Sequence, residues 1–573
     1  MLFVKQLENF RRSHFMKRIT MLLILIGLVL LVSLPVFAGG QNEAEAPAEE
    51  TAVMEEGVGP TNSNPLSDLR VRQAIAYAID MDTIAETMFD GMVLPATGRV
   101  PDGPMKAPGL NRYAYDPDKS RALLKAANWD PNYKLDLGYY YGDQMTVDLM
   151  TAIQAYLSDV GIKMSFRKLE GDVGAQLNSV PTDPANGPSA VEIDLGYGGH
   201  AALALQEYFN VYKTGKSAQY PSDPKMDALI DAINATADPV ELKKALFEIE
   251  KYEVDNLAAY SLYYMPMFVY ESIDLNRNGE IYGNPQYNYD WNIQNWTMKP
   301  ESNGKMVLQT NGGPIEFFQN PWENPGIWIS NKVLYDRLIA CDGALTPTHG
   351  QMADYELSSD GMTLKFTMKD GVKWHDGAAV TVDDVQFSIE KIILAPTAHK
   401  VLLSTFNSIK GAEEFIAGTA DHISGINTDG NTITIEMAKL DPNILLTFTQ
   451  FAILPEKYLA DADPLKMLQS PFFQHPVGSG PYKIGKVEMN DYLVMVPNED
   501  YYDGVPKIDE IQCYPSFDSD PNVVKNATAG ILDYGFSKNP SEVSSLRALD
   551  NIKLETVDVP YTRILWFYQY PKK

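Results

Sequence analysis

The sequence predicts an α/β fold in two lobes, and three observations support this prediction. The chain has 573 residues, which exceeds what one hydrophobic core usually holds, so at least two lobes are expected. From residue 64 to about 296, strand-like and helix-like segments alternate, which favours sheets covered by helices. The polar stretch "TMKPESNGK", near 298–305, is the best internal linker, and the part that follows it is richer in strands.

The individual elements follow from local patterns. In "NPLSDLRVRQAIAYAID", at 64–80, Ser67 and Asp68 suit the start of a helix, and Val71 and Ile75 begin its apolar face. Further helices are predicted at "DKSRALLKAANW", "TVDLMTAIQAYLSDVG" and "VELKKALFEIEKYEVDN", and strands at "KLDLGYYYG", "IKMSFRKL" and "EIDLGYGG". In the second part "MTLKFTM" and "TITIEMA" alternate with period two, and "SDG", "KDG" and "TDGNT" predict tight turns.

The first residues are typical of an export signal. Lys17 and Arg18 precede an apolar run, and "VFA", ending at Ala38, suits signal peptidase, so residues 1–38 are predicted to be a cleaved signal peptide. Residues 39–63 are small, acidic and bear proline and glycine, which predicts a disordered tether. We therefore expect a protein of the periplasm or the extracellular face.

Charge and cysteine content narrow the possible partners. The net charge is −28, which argues against nucleic acid, since phosphates require a basic surface. An exported protein can form disulfides, and Cys341 and Cys513 are the two cysteines. Two separate buried thiols are the favoured interpretation, and a bridge between them is the alternative.

Motifs in both parts of the chain resemble one family. The second part contains "YELSSDGMTLKFTMKDGVKWHDGAAVTVDDVQFSIEKI", "HPVGSGPYKI" and "NEDYYDGVPKIDEI" in that order. The first part contains "DPDKSRALLKAANWD", "LSDVGIKMSF" and "YPSDPKMDALIDAINATADPVELKKALFEIEKYEVDN". Together they resemble the extracellular solute-binding proteins of family 5, the oligopeptide-, dipeptide- or oligosaccharide-binding components of ABC importers. The resemblance implies a periplasmic-binding-protein fold, type II-like and of the large cluster C form, with a hinge and a ligand cleft between the lobes.

The two halves of the family pattern stand in reversed order. The usual chain would run from 304 to 573 and continue at 64, so the protein resembles a circular permutant, which compact folds tolerate when chain ends lie close. A fusion of unrelated half-genes or a gene-model artefact is the alternative. Residues 64–268, here lobe A, resemble the family's second lobe. Residues 301–573, here lobe B, resemble its first lobe with an extra subdomain, and 269–300 resemble a return segment and linker.

The chain shows no convincing catalytic or metal-binding motif. "GxSxG", "HExxH" and "GxxxxGK[ST]" are absent from the sequence, and the seven histidines are not at metal-ligand spacing. We therefore expect no catalysis of its own, no metal and no cofactor.

The candidate ligand contacts come from segments that the resemblance places at the cleft. In "EIDLGYGGHAALALQEYF", at 192–209, a strand leads into a glycine-rich turn and a helix. Peptide binders of the family commonly place an acid just beyond this strand; here Glu207 is the nearest one. Aromatic side chains beside Asn or Gln suit a sugar ligand, because a sugar ring stacks on the aromatic face and its hydroxyls need hydrogen bonds. The predicted contacts are Trp322, Asn320, Tyr197, Gly198, His200, Trp566 and Trp328.

The expected function is that of a solute receptor. The receptor, expected to be a monomer, would bind an oligosaccharide or a short peptide and deliver it to the membrane permease of an ABC transporter. The sugar is slightly favoured, because the acidic anchor of peptide binders is missing. A secreted glycan-acting enzyme and a ligand-binding sensor for a chemoreceptor remain the alternatives.

Overall fold

The protein is described here by a computed structural model. The structure describes the following residues: 59–572 without 186, 202–204, 237, 279–291, 313–320, 323–328, 342–345, 396, 489–490, 516–521, 538 and 558–560. The predicted signal peptide, 1–38, lies outside them.

Lobe A alternates strands and helices. Its strands, in chain order, are β1 (Leu94–Pro95), β2 (Lys134–Tyr139), β3 (Lys163–Lys168), β4 (Leu195–Ala201) and β5 (Ala259–Tyr264). Its helices are α1 (Leu69–Ala78), α2 (Met81–Thr87), α3 (Pro117–Ala126), α4 (Gln144–Asp159), α5 (Val173–Asn178), α6 (Leu205–Asn210), α7 (Pro224–Ile233) and α8 (Pro239–Asn256). The 3₁₀ helix Pro65–Ser67 precedes α1.

The rest of the chain is richer in strands. These strands are β6 (Met267–Ser272), β7 (Leu275–Asn276), β8 (Thr297–Met298), β9 (Val307–Gly312), β10 (Ile339–Cys341), β11 (Pro347–Gly350), β12 (Ala353–Leu357), β13 (Thr363–Met368), β14 (Ile426–Asp429), β15 (Thr432–Glu436), β16 (Tyr482–Glu488), β17 (Tyr492–Pro497), β18 (Glu510–Pro515), β19 (Tyr534–Ser537), β20 (Ile552–Val557) and β21 (Tyr561–Phe567). Its helices are α9 (Ile329–Leu334), α10 (Val382–Ile392), α11 (Lys400–Phe406), α12 (Ala412–Ile416), α13 (Ile444–Gln450), α14 (Glu456–Leu459), α15 (Val523–Thr528) and α16 (Pro540–Arg547). Short 3₁₀ helices cover Ile293–Asn295, Pro464–Gln469 and Pro471–Gln474.

Helix starts follow the capping residues that the sequence offers. The Asp68 side chain accepts a hydrogen bond from the Arg70 N–H and caps α1. At α10, Thr381 and Asp384 form a reciprocal capping box, which satisfies two backbone donors that a helix end otherwise leaves free.

Sheet A is the centre of lobe A. Its strand order is β1-β5-β21-β4-β2-β3. Strands β2, β3 and β4 are parallel, and β21 lies antiparallel between β4 and β5. One apolar cluster, which includes Leu137 and Leu565, covers one face, and another, which includes Ile193 and Ile564, covers the other.

Sheet B is the centre of lobe B. Its strand order is β16-β17-β18-β9-β19-β6-β20, with β9 parallel to both β18 and β19. A separate four-stranded sheet, β12-β13-β15-β14, shares one apolar core with sheet B. The two sheets with their helices confirm the predicted α/β fold in two lobes.

Two chain segments connect sheet A to sheet B side by side. Strand β5 ends at Tyr264 and β6 begins at Met267, while β20 ends at Val557 and β21 begins at Tyr561. Met267 pairs with Val557 in sheet B, and Tyr264 pairs with Thr562 in sheet A. The crossovers therefore form one double connection, the place where the two lobes can bend relative to each other.

Two predicted boundaries need correction. Strand β21 was assigned with 301–573 to lobe B, but it lies in the middle of sheet A, because its backbone pairs antiparallel with β4 on one side and β5 on the other. The tether 39–63 was predicted to be disordered to its end. Its last residues instead make defined contacts, since the N–H groups of Thr61 and Asn62 donate hydrogen bonds to Ser67 Oγ, 3.1 and 3.2 Å away.

The beginning of lobe A contacts the end of the chain. Asn64 Nδ2 donates to the carbonyls of Tyr568 and Tyr570 at 2.8 and 2.7 Å, and the Asn64 side chain is fully buried. Asn62 Nδ2 donates to the carbonyl of Gln569 at 3.0 Å. We call this contact the end clamp.

Two further findings concern the thiols and the membrane. Cys341 and Cys513 are both buried and do not form a disulfide with each other, and burial raises the pKa of the Cys513 thiol. Within the described part of the chain, no helix has the length and apolar character required to cross a bilayer.

Candidate functional site

The carboxyl ends of the parallel strands in both sheets lie beside the crossovers. In sheet A, β4 ends next to Tyr561, the first residue of β21. In sheet B, β19 ends at Ser537, which pairs with Phe268 near the start of β6. In open α/β sheets, ligands bind outside the carboxyl ends of the strands. The candidate site is therefore the cleft at this edge, and we call the sheet A side of it the tyrosine edge.

The tyrosine edge consists of linked phenol side chains. The hydroxyls of Tyr140 and Tyr141 lie 3.0 Å apart, and those of Tyr141 and Tyr561 lie 3.1 Å apart. Behind them, the hydroxyls of Tyr197 and Tyr263 lie 2.8 Å apart. Burial raises the pKa of both Tyr197 and Tyr263. The phenols of Tyr197 and Tyr263 therefore stay neutral at the pH values where proteins work.

A single cation lies among these rings. The Arg563 guanidinium carbon lies 3.9 Å from the centre of the Tyr141 ring, 4.8 Å from that of Tyr561 and 6.0 Å from that of Tyr197. Arginine over an aromatic face is held by cation–π attraction. Arg563 Nε and Nη1 are buried and have no hydrogen-bond partner among the described residues. The residue as a whole is half-buried, whereas these two nitrogens are closed to solvent.

Two glycines of β4 make this packing possible. A Cβ added to Gly199 would lie 2.8 Å from Arg563 Nη1 and 2.8 Å from the Tyr561 hydroxyl. A Cβ added to Gly198 would lie 2.5 Å from the Trp566 ring. Glycine at these positions lets the aromatic and cationic side chains of β21 lie directly against the β4 backbone.

The predicted contacts fall in different places. Tyr197 is buried and reaches the tyrosine edge through Tyr263 and Arg563. Gly198 supports the ring of Trp566, which is 8 % exposed and lies on the opposite face of sheet A from Tyr197. The structure therefore separates two contacts that the sequence grouped together.

The tryptophan expected in lobe B is part of its core. Trp322 is fully buried, its ring stacks on Phe451, and its Nε1 donates to the Ala452 carbonyl at 2.8 Å. In this conformation it offers no surface to a ligand. Asn320, Trp328 and the side chain of His200 lie outside what the structure describes.

Sequence reasoning missed Arg563, Tyr141 and Tyr263. The signal for Arg563 was a charge inside the otherwise apolar strand "YTRILWFYQY". Charged side chains are rarely buried in such strands without a reason, so this position could have been singled out.

A second polar contact lies between the lobes. The Glu207 carboxylate on α6 of lobe A lies in the electrostatic field of Asp441, which belongs to lobe B. Burial raises the pKa of Glu207, and repulsion from Asp441 adds to that rise; burial likewise raises the pKa of Asp441. Asp441 Oδ2 is buried without a hydrogen-bond partner among the described residues.

Among the described residues, no group of three or more His, Cys, Asp or Glu side chains is placed to hold a metal ion. The arrangement supplies hydrogen bonds, aromatic faces and charges for binding.

Comparison with known proteins gives the family. Residues 42–226 and 347–572, well over half of the chain, match the family described as bacterial extracellular solute-binding proteins, family 5, middle. A putative ABC transporter peptide-binding protein of Brucella ovis is 28% identical over 194 residues, 34% of each chain. The oligopeptide-binding protein OppA of Lactococcus lactis subsp. cremoris is 27% identical over 184 residues, 31% of each. The chain thus spans about a third of the length of the curated relatives it matches.

Solved structures give similar partial matches. Lactococcal OppA, complexed with an endogenous peptide in the closed conformation, matches with a TM-score of 0.35 and 24% identity, over 40% of this chain and 44% of that one. NikZ from Campylobacter jejuni, in complex with Ni(L-His), matches with a TM-score of 0.32 and 21% identity, over 40% and 42%. On the strength of the family match, the chain belongs to the bacterial extracellular solute-binding proteins of family 5.

Proposed function

We propose that the protein is the extracytoplasmic receptor of an ABC importer and captures a short peptide between its two lobes. The observation that carries this proposal is the double crossover beside the carboxyl ends of the strands in both sheets. Such a connection allows the lobes to close on a ligand by bending at the crossovers, and the membrane permease would recognise the closed form. The receptor acts as a monomer and performs no chemistry on the ligand.

The choice of a peptide over an oligosaccharide has two supports. The sequence slightly favoured a sugar because an acid was missing at the expected place. The Glu207 carboxylate of lobe A nevertheless lies in the negative field of Asp441 of lobe B, an environment that suits the amino group of a peptide. Matched relatives in Brucella and Lactococcus are also named as peptide-binding proteins.

Thermal-shift measurements on the purified protein test this proposal. A ligand that binds the folded state alone raises the melting temperature with the logarithm of its concentration over its Kd. We expect a pool of peptides of two to six residues to stabilise the protein, and neutral oligosaccharides to leave it unchanged. If only the oligosaccharides stabilise the protein, the ligand is a sugar and the proposed peptide is wrong. If neither pool stabilises it, the receptor function is refuted.

The order of the two halves is part of the same proposal. We regard the chain as a circular permutant of the usual family order. The end clamp supports this, because it holds residues 62–64 against 568–570, where the usual chain would continue without a break. The usual ends would meet in the exposed turn at 299–305, where Gly304 N donates to the Glu301 carbonyl at 2.9 Å.

A further inference from the structure

One loop of lobe A contacts both strands that cross to lobe B. This loop, residues 96–107, follows β1, and we call it the brace loop. The hydroxyl of Tyr264, the last residue of β5, donates to the Gly98 carbonyl at 2.8 Å and accepts from the Gly98 N–H at 3.3 Å. The hydroxyl of Thr562, the second residue of β21, donates to the Arg99 carbonyl at 2.8 Å. The brace loop therefore holds both crossover strands at their cleft ends.

These contacts are buried, so water does not compete for them. Tyr264 is 6 % exposed and Thr562 is fully buried, and the two residues pair with each other across β5 and β21. Lys106, near the other end of the brace loop, donates to the Tyr264 hydroxyl and to the Val100 carbonyl, the latter at 3.1 Å. Buried hydrogen bonds of this kind are costly to break, because the groups that lose a partner are not solvated.

Arg99 extends the brace loop to α6. Its Nη1 donates to the Tyr208 carbonyl on α6 at 3.0 Å, and its Nε donates to Glu253 Oε1 on α8 at 2.7 Å. Next to Tyr208 on the same helix is Glu207, which lies in the electrostatic field of Asp441 of lobe B. One residue thus joins β21 through its carbonyl and α6 through its guanidinium.

Helix α8 fixes the shape of the brace loop. Glu250 Oε1 accepts from the Val100 N–H at 3.1 Å, and Oε2 accepts from the Ala107 N–H at 2.7 Å. The Glu250 side chain is fully buried, so one carboxylate closes the loop on itself. A segment with so many buried hydrogen bonds opens rarely, and a displacement at one of its contacts is passed on to the others.

We infer that the brace loop is a positioning element for lobe closure, an inference that rests on the proposed receptor function and deepens it. It makes α6 and the cleft ends of β5 and β21 move as one body, so that bending is confined to the crossovers. Without it, these elements would shift independently and the closed conformation would be populated less. The apparent affinity for a ligand falls with that population. Thr562 and Tyr264 are the positioning residues, and neither needs to touch the ligand.

Hydrogen exchange in the ligand-free protein tests the coupling to α6. Thr562→Val and Tyr264→Phe each remove one hydroxyl and keep the shape of the side chain. We expect the amides of α6 to exchange about fivefold faster in both variants, the factor that corresponds to one buried hydrogen bond. Thr562→Ser keeps the hydroxyl and should exchange like the wild type. A hydroxyl that only stabilises its own strand would leave the exchange of α6 unchanged.

Two control variants remove hydroxyls of the same kind outside the brace loop and its contacts. Ser120→Ala, on α3, removes a buried donor to the Ala74 carbonyl at 2.7 Å. Tyr568→Phe, beyond the opposite end of β21, removes a buried donor to the Leu177 carbonyl at 2.9 Å. Both should lower the melting temperature, because a buried carbonyl loses its donor, and both should leave α6 exchanging at the wild-type rate.

Ligand titration connects the brace loop to closure. The probe is the pool of peptides of two to six residues, titrated by calorimetry well below the melting temperature of each variant. We expect Thr562→Val and Tyr264→Phe to bind this pool at least about fivefold more weakly than the wild type. The two controls and Thr562→Ser should match the wild type, since a loss of stability does not change the Kd of a protein that remains fully folded.

The two measurements separate the inference from the proposed function. Unchanged exchange of α6 in Thr562→Val and Tyr264→Phe, or an equal acceleration in the controls, would overturn the inference. Unchanged peptide affinity in these two variants would overturn it as well, since the brace loop would then have no part in closure. If the wild type binds no peptide, the proposed function is refuted. The exchange experiment, which needs no ligand, then decides alone whether the brace loop couples α6 to the crossover strands.

Discussion

Gly198 determines where the Trp566 ring can lie. A Cβ at this position would approach two ring carbons to 2.5 and 2.7 Å, and Trp566 is 8 % exposed and packed on its other sides. We expect Gly198→Ala to lower the free energy of unfolding by about 1–3 kcal/mol, as overpacking does. Urea unfolding measures this change. Gly174→Ala is the control, since a Cβ added there would meet Asp172 Oδ1 at an ordinary distance of 3.4 Å; equal effects of the two changes would contradict the assignment.

Glu250 on α8 makes the stability depend on pH. Burial raises the pKa of its carboxyl to about 7, although the N–H groups of Val100 and Ala107, at 3.1 and 2.7 Å, oppose the rise. Because the folded pKa lies above the unfolded one, this group's contribution to stability is complete below about pH 4 and is lost as the pH rises to about 7. The shift corresponds to roughly 3 kcal/mol.

The measurement is the free energy of unfolding between pH 4 and pH 8. In Glu250→Gln, the free energy of unfolding should fall less steeply as the pH rises. This holds even if the variant is less stable overall, because the Gln side chain presents an N–H₂ group to one of the backbone N–H donors. The exposed Glu248 on the same helix supplies the control, Glu248→Gln, which should keep the wild-type slope. An unchanged slope in Glu250→Gln would show that other groups, such as Asp533, whose pKa burial raises to about 6, cause the decline.

The end clamp is an element in its own right, because one side chain holds three backbone groups. Asn64 Oδ1 accepts from the Leu66 N–H at 2.9 Å, while Nδ2 donates to Tyr568 and Tyr570. We expect Asn64→Ala to cost about 2–3 kcal/mol, since it leaves buried polar groups unpaired. Chemical denaturation tests this, with Asn62→Ala as the control, which removes two bonds at a half-buried site and should cost less. The reverse ranking would refute the role given to Asn64.

The whole molecule should tolerate the opposite chain order. A rearranged chain would begin at Gly304, run to Lys573, continue through a short Gly-Ser linker to Gly59 and end at Asn303. We expect it to fold with a melting temperature within about 5 °C of the original and to bind the same peptides, because the ends lie close and the new cut falls in an exposed turn. Calorimetry and ligand titration measure this. Two separate transitions, or loss of binding, would contradict the permutation.

Local features were predictable wherever the physical cause lies within a few residues. Asp68 was expected to begin a helix and does so, since a cap needs only the N–H groups of the following turn. Ser67 was expected to act with it but instead accepts bonds from Thr61 and Asn62. The sequence pattern placed Tyr197 and Gly198 on one strand. It did not show that Tyr197 contacts Tyr263 on one face of the sheet while Gly198 contacts Trp566 on the other, because these partners are distant in the chain.

The sequence by itself determined the α/β class, the two lobes and the family, because periodicity, caps and ordered motifs are properties of neighbouring residues. The tertiary structure alone decided that β21 joins sheet A, that Trp322 is buried in the core and that Arg563 lies among tyrosines without an acceptor for two of its nitrogens. Each of these depends on contacts between segments more than a hundred residues apart. Burial, pairing and the environment of a charge are set by those contacts, which local sequence patterns do not specify.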